Sequence, residues 1–404
     1  MASVLRGATV IDGTGTEPRR ADVVVDDTHI TAVGPASASG GRTVDLDGLW
    51  LLPGLIDAHS HFGLVSFTEG FTPPAVTAGR IFRNCELALD AGFTTVRDTG
   101  GIDGGVATAV EQGLVRGPRI LPSGPILCQT GGHGDASDPF APHSHDHLPG
   151  VPGLAQTSLP CDSPDEVRVA ARTALRRGAT QLKVCVSGGV LSFTDRLEDA
   201  QFTVEELAAA VAEAEARDTY VTAHAHSVRG IRNGLAAGVA CYEHGTFLDE
   251  ETAAAMAAAG AFLVPTFAVT RVIAEEYQAW GVPAELLPRM AGVEKAMAHA
   301  LQLARAAGLV IGSGSDILGP EQNRRGLELV IRAELEDPMQ AIVSATAANA
   351  RILRRQDEIG TVEAGKLADL VAVDFDPLQK PQLFDDPDHV RLVMRSGDVV
   401  KDTR

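Results

Sequence analysis

The chain has 404 residues, 45% of them apolar, and a formal net charge of −19. That length leaves roughly 150 residues beyond the about 250 of a single (β/α)8 barrel. The charge excludes nucleic acid and anionic membrane as expected partners, and no apolar run approaches the roughly 20 residues of a membrane span. Residues 1–7 lack the apolar segment and cleavage site of a signal peptide. The five cysteines (Cys85, Cys128, Cys161, Cys185 and Cys241) are odd in number and without paired spacing. Buried, reduced thiols in a cytoplasmic protein are the expectation.

Residues 1–50 carry short alternating runs, as at 8–13 and 21–25, separated by Gly, Pro and Asp. Such runs predict strands. From about residue 51 to 350, β-rich runs alternate with Ala-rich helical ones. Strands are predicted at 51–58, 93–98, 119–127, 181–186, 220–225, 239–243, 261–267 and 308–315. Helices are predicted at 77–91, 164–177, 204–217, 228–237 and 250–259. Thr203 followed by Glu205 and Glu206 supplies an N-cap and an acidic first turn. Residues 128–162 lack periodicity and are rich in Gly, Pro, Asp and His, so they predict a lid-like loop following the third of these strands. Residues 360–404 return to short strands, as at 368–374 and 390–394.

The fold class predicted is α/β. Eight nearly continuous apolar strands alternating with helices predict a TIM-type (β/α)8 barrel over residues 54–359. Neither end has enough strands for a sheet of its own, so residues 1–53 and 360–404 are expected to combine into one small β-sandwich. An open doubly wound sheet is the rival. It does not bring together polar residues from the first, fourth, fifth, sixth and eighth strands, whereas a barrel does.

Those polar residues are metal-donor types at matching strand ends. His59 and His61 alternate on an extended segment, so both imidazoles share a face. His224 and His244 stand one βα unit apart, and Asp316 follows the small-residue run 312–315. Lys183 sits in the apolar run 181–186 of a chain with only five lysines against 29 arginines. A lone buried ammonium is costly and cannot bind a cation. Carboxylated by CO2, the same side chain becomes an anionic ligand able to bridge two metal ions. Imidazole and carboxylate donors suit zinc, with manganese, cobalt or iron possible at the same donors. His226 shares a face with His224 and could support a ligand, touch substrate or simply pack. Cys185 reads as core filler. His143, His145 and His147 follow no strand and read as a solvated loop cluster, with a metal contact from the lid as the alternative.

Residues 53–61, reading Pro-Gly-Leu-Ile-Asp-Ala-His-Ser-His, resemble the opening signature of the amidohydrolase superfamily. Further segments resemble its imidazolonepropionase-like and Xaa-Pro dipeptidase branch. They are Thr94-Thr95-Val96-Arg97-Asp98, residues 129–135, Lys183 with 187–190, Ala223-His224-Ala225, Glu243-His244-Gly245-Thr246, Gly314-Ser315-Asp316 and residues 360–370. The resemblance runs in order along nearly the whole chain. It implies that His59, His61 and Asp316 bind the more buried metal, that His224 and His244 bind a second, and that carboxylated Lys183 bridges them. Imidazolonepropionases bind one metal and lack the lysine, so Lys183 argues against that activity. His133 matches a substrate-facing histidine of the dipeptidase-like members. Those members often carry a tyrosine where this chain has His226, which bears on recognition of a substrate carboxylate.

The expected function is therefore metal-dependent hydrolysis of a C–N bond in Xaa-Pro-like dipeptides or N-acyl amino acids, by attack of a metal-bridging hydroxide. Two divalent ions, Zn2+ first among them, are the expected cofactors. Asp316 is the expected proton shuttle, with His133 and His226 as substrate contacts. Hydrolysis of a lactam, cyclic amide or lactone, imidazolonepropionase-like chemistry, or a non-catalytic scaffold are the alternatives. The expected partners are a small-molecule substrate and copies of the same chain in a homo-oligomer.

Overall fold

In the computed structural model the described residues are 3–35, 42–65, 72–135, 150–192, 194–280, 282, 284–290, 292–319 and 322–404. Five strands come first: β1 (Ser3–Val10), β2 (Arg19–Asp26), β3 (His29–Gly34), β4 (Arg42–Asp45) and β5 (Trp50–Pro53). Strands and helices then alternate through β6 (Leu55–Ser60), α1 (Pro74–Asp90), β7 (Phe93–Asp98), β8 (Gly101–Ile102), α2 (Gly104–Glu111), β9 (Arg119–Pro122) and β10 (Ile126–Cys128). Short strands β11 (Gly150–Val151), β12 (Ala155–Gln156) and β13 (Ser158–Pro160) precede α3 (Pro164–Arg176). Strict alternation resumes with β14 (Leu182–Cys185), α4 (Val204–Glu215), β15 (Val221–Ala225), α5 (Val228–Ala237), β16 (Cys241–His244), α6 (Glu250–Ala258) and β17 (Phe262–Val264). Helices α7 (Phe267–Trp280), α8 (Leu287–Met290) and α9 (Val293–Ala306) lead to β18 (Val310–Ile311). The last elements are α10 (Leu327–Leu335), α11 (Pro338–Val343), α12 (Asn349–Ile352), β19 (Leu370–Val373), β20 (Val390–Arg395) and β21 (Asp398–Asp402).

Local chemistry sets the helix starts. The Thr203 hydroxyl accepts from Glu206 N while the Glu206 side chain accepts from Thr203 N, so α4 opens on a capping box. Ser163 caps α3 with Pro164 at the first helical position. Ser227 caps α5, which ends at Gly238 in the left-handed region.

The two ends of the chain meet in one sheet of order β21-β20-β19-β5-β1-β2-β3, with β4 also on β1. β19 runs antiparallel to β5, placing Val371 opposite Leu52. Leu5, Val23, Ile30 and Leu51 from the front pack with Leu370, Leu392 and Met394 from the back. In β2 exposed or half-buried residues alternate with buried ones, as in a sheet covered on one face.

Strands β6, β7, β14, β15 and β16 pair in parallel and are buried throughout, so they read as continuous apolar runs. One set has the order β6-β7-β9 and another runs β10-β14-β15-β16-β17-β18. Thr180 N donates to Pro122 O (2.8 Å), Ala58 N to Ser313 O (3.0 Å) and Asp316 N to His59 O (2.9 Å), tying the edges of the two sets together.

Three differences from the predicted elements have physical causes. The run 51–58 divides at Gly54, whose N–H donates to Asp369 O, so Trp50–Pro53 joins the terminal sheet and Leu55–Ser60 the parallel one. Only Val310–Ile311 of the run 308–315 keeps ladder pairing, and the residues after it bond to β6 through single hydrogen bonds. Within 128–162 the described residues form β13, paired parallel to β10, and the hairpin β11-β12, which adds to β8 in a three-stranded sheet. The cluster His143, His145 and His147 lies outside the described residues.

Candidate active site

His59 and His61 end β6, and Asp316 follows β18. The Nε2 atoms of His59 and His61 are 3.1 Å apart, and Asp316 Oδ1 lies 3.4 Å from the first and 3.2 Å from the second. Four ligands around a zinc ion at 2.0–2.1 Å are separated by about 3.3 Å, so these three atoms are spaced like the edges of a metal tetrahedron. Each imidazole is turned inward by its other nitrogen. His59 Nδ1 donates to Glu243 Oε2 (2.7 Å) and His61 Nδ1 to Gly100 O (2.8 Å). Those bonds leave both Nε2 lone pairs facing the cluster. Close approach of the last strand requires a glycine: a Cβ on Gly314 would meet His59 Cβ at 2.4 Å. The small residues before Asp316 therefore seat the first strand.

Buried ion pairs hold this group. Arg97 donates to Ala58 O (2.5 Å) and Glu243 Oε1 (2.7 Å). Arg325 donates to Asp57 Oδ2 (2.5 Å), Ser60 Oγ (2.8 Å) and Gln322 Oε1 (2.6 Å). Asp57 in turn accepts from His59 N (3.1 Å) and Ser315 N (3.0 Å), fixing the backbone beside two donors. Burial pushes Asp316 up, but His59 and His61 outweigh it and hold the carboxylate well below its ordinary range. Burial and Lys183 pull His59 down, while Asp316 and Glu243 carry it above its usual value. Negative charge that favours an imidazolium here also favours a metal cation.

The second group lies on β15 and β16. His244 Nε2 is 2.9 Å from His224 Nδ1. His224 Nε2 donates to Gly188 O (3.0 Å), and His244 Nδ1 meets Thr266 Oγ1 at 2.7 Å. His226 stacks on His244 at 4.9 Å between centroids, with Nδ1 2.6 Å from Thr246 Oγ1. Two sets of donor atoms could hold an ion: His224, His226 and His244, and His59, His244 and Asp316. Burial, reinforced by neighbouring imidazoles, holds His224 and His244 well below their ordinary range. Burial and His133 take His226 to about 3. All three are neutral, the ligating form, near neutral pH. His244 and Asp316 both adopt positive φ, 66° and 53°, a backbone strain that clusters at functional sites.

Lys183 points from the middle of β14 with 2% of its surface exposed, and among the described residues it forms no ion pair. Burial lowers its pKa against the pull of Glu243. His133 stands at the rim, stacked on His224 at 4.0 Å, with Nδ1 3.0 Å from Ser192 Oγ. A Cβ on Gly189 would sit 2.1 Å from His133 Nδ1, so the ring reaches this position only over a glycine. Burial drops His133 to about 4.

The structure thus gathers His59, His61, Lys183, His224, His226, His244, Asp316 and His133 around one site. The sequence reading did not identify Arg97, Glu243, Asp57, Arg325, Thr266 or Ser192 as supports. Arg97 and Glu243 carried a signal, since each is a charge inside an apolar strand, as Lys183 is. Arg325 carried none, because its partner Asp57 is 268 residues away.

The family model described as Amidohydrolase family matches residues 50–400. The chain is 31% identical over 424 aligned positions to ochratoxinase of Aspergillus niger, covering 99% of this chain and 86% of that one. Among solved structures it superposes on a prolidase complexed with N-methylphosphonate-L-proline, with a TM-score of 0.95, 35% identity and full coverage of both chains. It likewise superposes on a Xaa-Pro dipeptidase with bound methionine in the active site, with a TM-score of 0.89, 30% identity and coverage of 99% and 100%.

Proposed function

This chain belongs to the amidohydrolase family and is a hydrolase acting on amide bonds, and on that premise we propose that it is a binuclear metal-dependent peptidase. Its substrates are dipeptides or N-acyl amino acids with a free C-terminal carboxylate. The observation that carries the metal reading is the spacing of His59 Nε2, His61 Nε2 and Asp316 Oδ1 at 3.1, 3.4 and 3.2 Å. The prolidase, dipeptidase and ochratoxinase relatives support the substrate class.

His59, His61 and Asp316 would hold one divalent ion, and His224 and His244 a second. Lys183, buried and without an ion pair among the described residues, would join them as the carboxylated lysine. Zinc suits this donor set. When bound, such ions supply an acidified water at neutral pH and polarise the scissile carbonyl. Asp316 takes the proton from the attacking water and delivers it to the leaving nitrogen. Its side chain is 13% exposed, the most open of the cluster's donors in ion-pair contact, which gives the proton a path to substrate. In the tautomer whose Nδ1 accepts from the Ser192 hydroxyl, His133 carries its proton on Nε2 and would donate it to the developing oxyanion.

We read the parallel strands as a closed (β/α)8 barrel over residues 54–359, supported by the hydrogen bonds that link Ala58 to Ser313 and Asp316 to His59. We likewise read the described parts of residues 1–53 and 360–404, whose strands share one sheet, as the composite β-sandwich, and the described parts of 128–162 as the lid. Among the described residues no helix is long and apolar enough to cross a membrane. The five cysteines are free and buried, which suits the cytoplasm.

The test is hydrolysis of a library of dipeptides and N-acyl amino acids by metal-reconstituted protein. Turnover of these, and loss of turnover on metal removal, is expected. Activity confined to lactams or lactones overturns the peptidase reading.

A further inference from the structure

A substrate carboxylate entering this site is matched best by a guanidinium, and neither buried arginine of the site is free to supply one. Arg97 is committed to Glu243 and Arg325 to Asp57, both fully buried. The counter-charge must come from the rim.

Beside the site is a cleft of ≈ 500 Å³ lined by Arg196, Leu197, Phe247, Arg289 and Val293 among others. Its inner wall is continuous with the site. Phe247 N donates to His226 O (3.0 Å), and Arg289 donates to the carbonyl of Ser192, whose hydroxyl meets His133. Of the two arginines, Arg196 is 81% exposed and paired with Asp199 at 2.7 Å. Arg289 keeps only 22% of its side-chain surface exposed. It is held in one orientation by Asp195 O (2.8 Å) and Asp195 Oδ1 (3.3 Å). Asp195 is shared with Gln201 Nε2 (3.0 Å) and Gly189 N (3.3 Å), so it does not belong to Arg289 alone. Nε of Arg289 makes no hydrogen bond among the described residues. Phe247, 38% exposed, is one of few large apolar side chains left uncovered, and with Leu197 and Val293 it gives the cleft an apolar wall.

We propose that Arg289 binds the free C-terminal carboxylate of the residue released as amine, while Leu197, Phe247 and Val293 receive that residue's side chain. A guanidinium fork matches a carboxylate better than any other side chain. This assignment rests on the peptidase reading above and adds the residue that makes the enzyme select free acids.

The test compares the fastest dipeptide or N-acyl amino acid of the library with its C-terminal amide, on the full-length, metal-reconstituted protein. Wild type should favour the free acid by about 100-fold or more in kcat/KM, as expected for a charge-assisted, oriented contact. Arg289→Met should raise KM for the acid about 10- to 100-fold, change kcat less than about threefold, and leave the amide near wild type. Arg289→Lys keeps the charge but loses the fork, so its preference should fall between the two. If Arg289→Met lowers acid and amide equally, the residue only holds the segment around Ser192 and Asp195, and the proposal is overturned. Should Arg289→Met fail to fold, Arg289→Lys decides, and an unchanged acid-to-amide ratio overturns it. A wild-type enzyme that hydrolyses these substrates but treats acid and amide alike overturns this inference alone. One that hydrolyses none of them overturns the peptidase reading as well.

Discussion

Around His59, His61 and Asp316 the supporting contacts include two fully buried ion pairs, whereas around His224, His226 and His244 they are neutral. The first group leans on Arg97–Glu243 (2.7 Å) and Arg325–Asp57 (2.5 Å). The second leans on the Gly188 carbonyl and the hydroxyls of Thr246 and Thr266. Breaking a buried ion pair leaves an uncompensated charge and costs about 3–5 kcal/mol. A neutral hydrogen bond contributes about 0.5–1.5 kcal/mol. The first group is therefore built into the stability of the fold, while the second can be altered without unfolding it. The second group also borders the rim that carries His133, Ser192 and the Arg289 cleft.

The largest expected effect is at Asp316, which touches both groups, with Oδ1 3.2 Å from His61 Nε2 and Oδ2 3.9 Å from His244 Nδ1. Asp316→Asn should retain substantial metal yet lose about 10³-fold or more in kcat, because an amide has no oxygen that titrates near neutrality. Near-normal turnover in a metal-replete variant would refute the shuttle role.

Lys183 is the proposed link between the groups. Lys183→Ala should lose most metal and most activity, with partial rescue by short carboxylic acids that enter the space. Mass spectrometry of the intact wild type should show the added CO2. Full activity with an unmodified lysine and one metal per chain sinks the idea.

His133 belongs to the neutral side, stacked on His224. His133→Ala should keep both metals while kcat/KM falls by about 10²–10⁴, the range for a positioned donor. Metal loss in proportion to activity would make His133 a ligand instead.

The comparison itself is tested by a matched pair. Arg325→Met should lower stability by about 3–5 kcal/mol in chemical denaturation. Thr266→Ala should leave the denaturation midpoint nearly unchanged but weaken binding of one metal about 10- to 100-fold by titration. Equal stability losses in the two would erase the distinction between charged and neutral support.

The smallest effect concerns Glu328, next to the charged side. Its Oε2 accepts from Phe267 N (2.7 Å) and Ala268 N (2.8 Å), while Oε1 is buried without a partner. Burial raises its pKa from 4.5 to about 8. Between those values the folded chain keeps a proton that the unfolded chain releases, so stability falls as pH rises from 4.5 to about 8. Glu328→Gln should therefore raise Tm relative to wild type at about pH 9, by the equivalent of about 1–3 kcal/mol, and match it at about pH 5. The same offset at both pH values would show that charge burial is not the cause.

Much of the site is legible in the sequence. Periodicity and capping are local, so Phe93–Asp98 and Val228–Ala237 fall where the sequence predicts them, and Thr203 caps its helix. A donor-type residue at the end of an apolar strand is also a local pattern, and it marked His59, His61, His224, His244 and Asp316 as candidates. Lys183 stood out because a charge in a buried strand is costly wherever the strand ends up. Arg97 and Glu243 obey the same rule, yet which charge would be paired could not be read locally: they are 146 residues apart.

The sequence by itself determined the α/β class, the family signature and the identity of the candidate donors, since all three follow from short-range pattern and side-chain chemistry. Only the tertiary structure decided which nitrogen of each imidazole faces the cluster, because that depends on Glu243, Gly100, Gly188 and Thr266 arriving from other strands and loops. It also decided that, among the described residues, Lys183 forms no ion pair while Arg97 does, and that Arg289 donates to the carbonyl of Ser192, whose hydroxyl meets His133. Those outcomes are set by packing between segments tens to hundreds of residues apart, where a shift of about 1 Å makes or breaks a hydrogen bond.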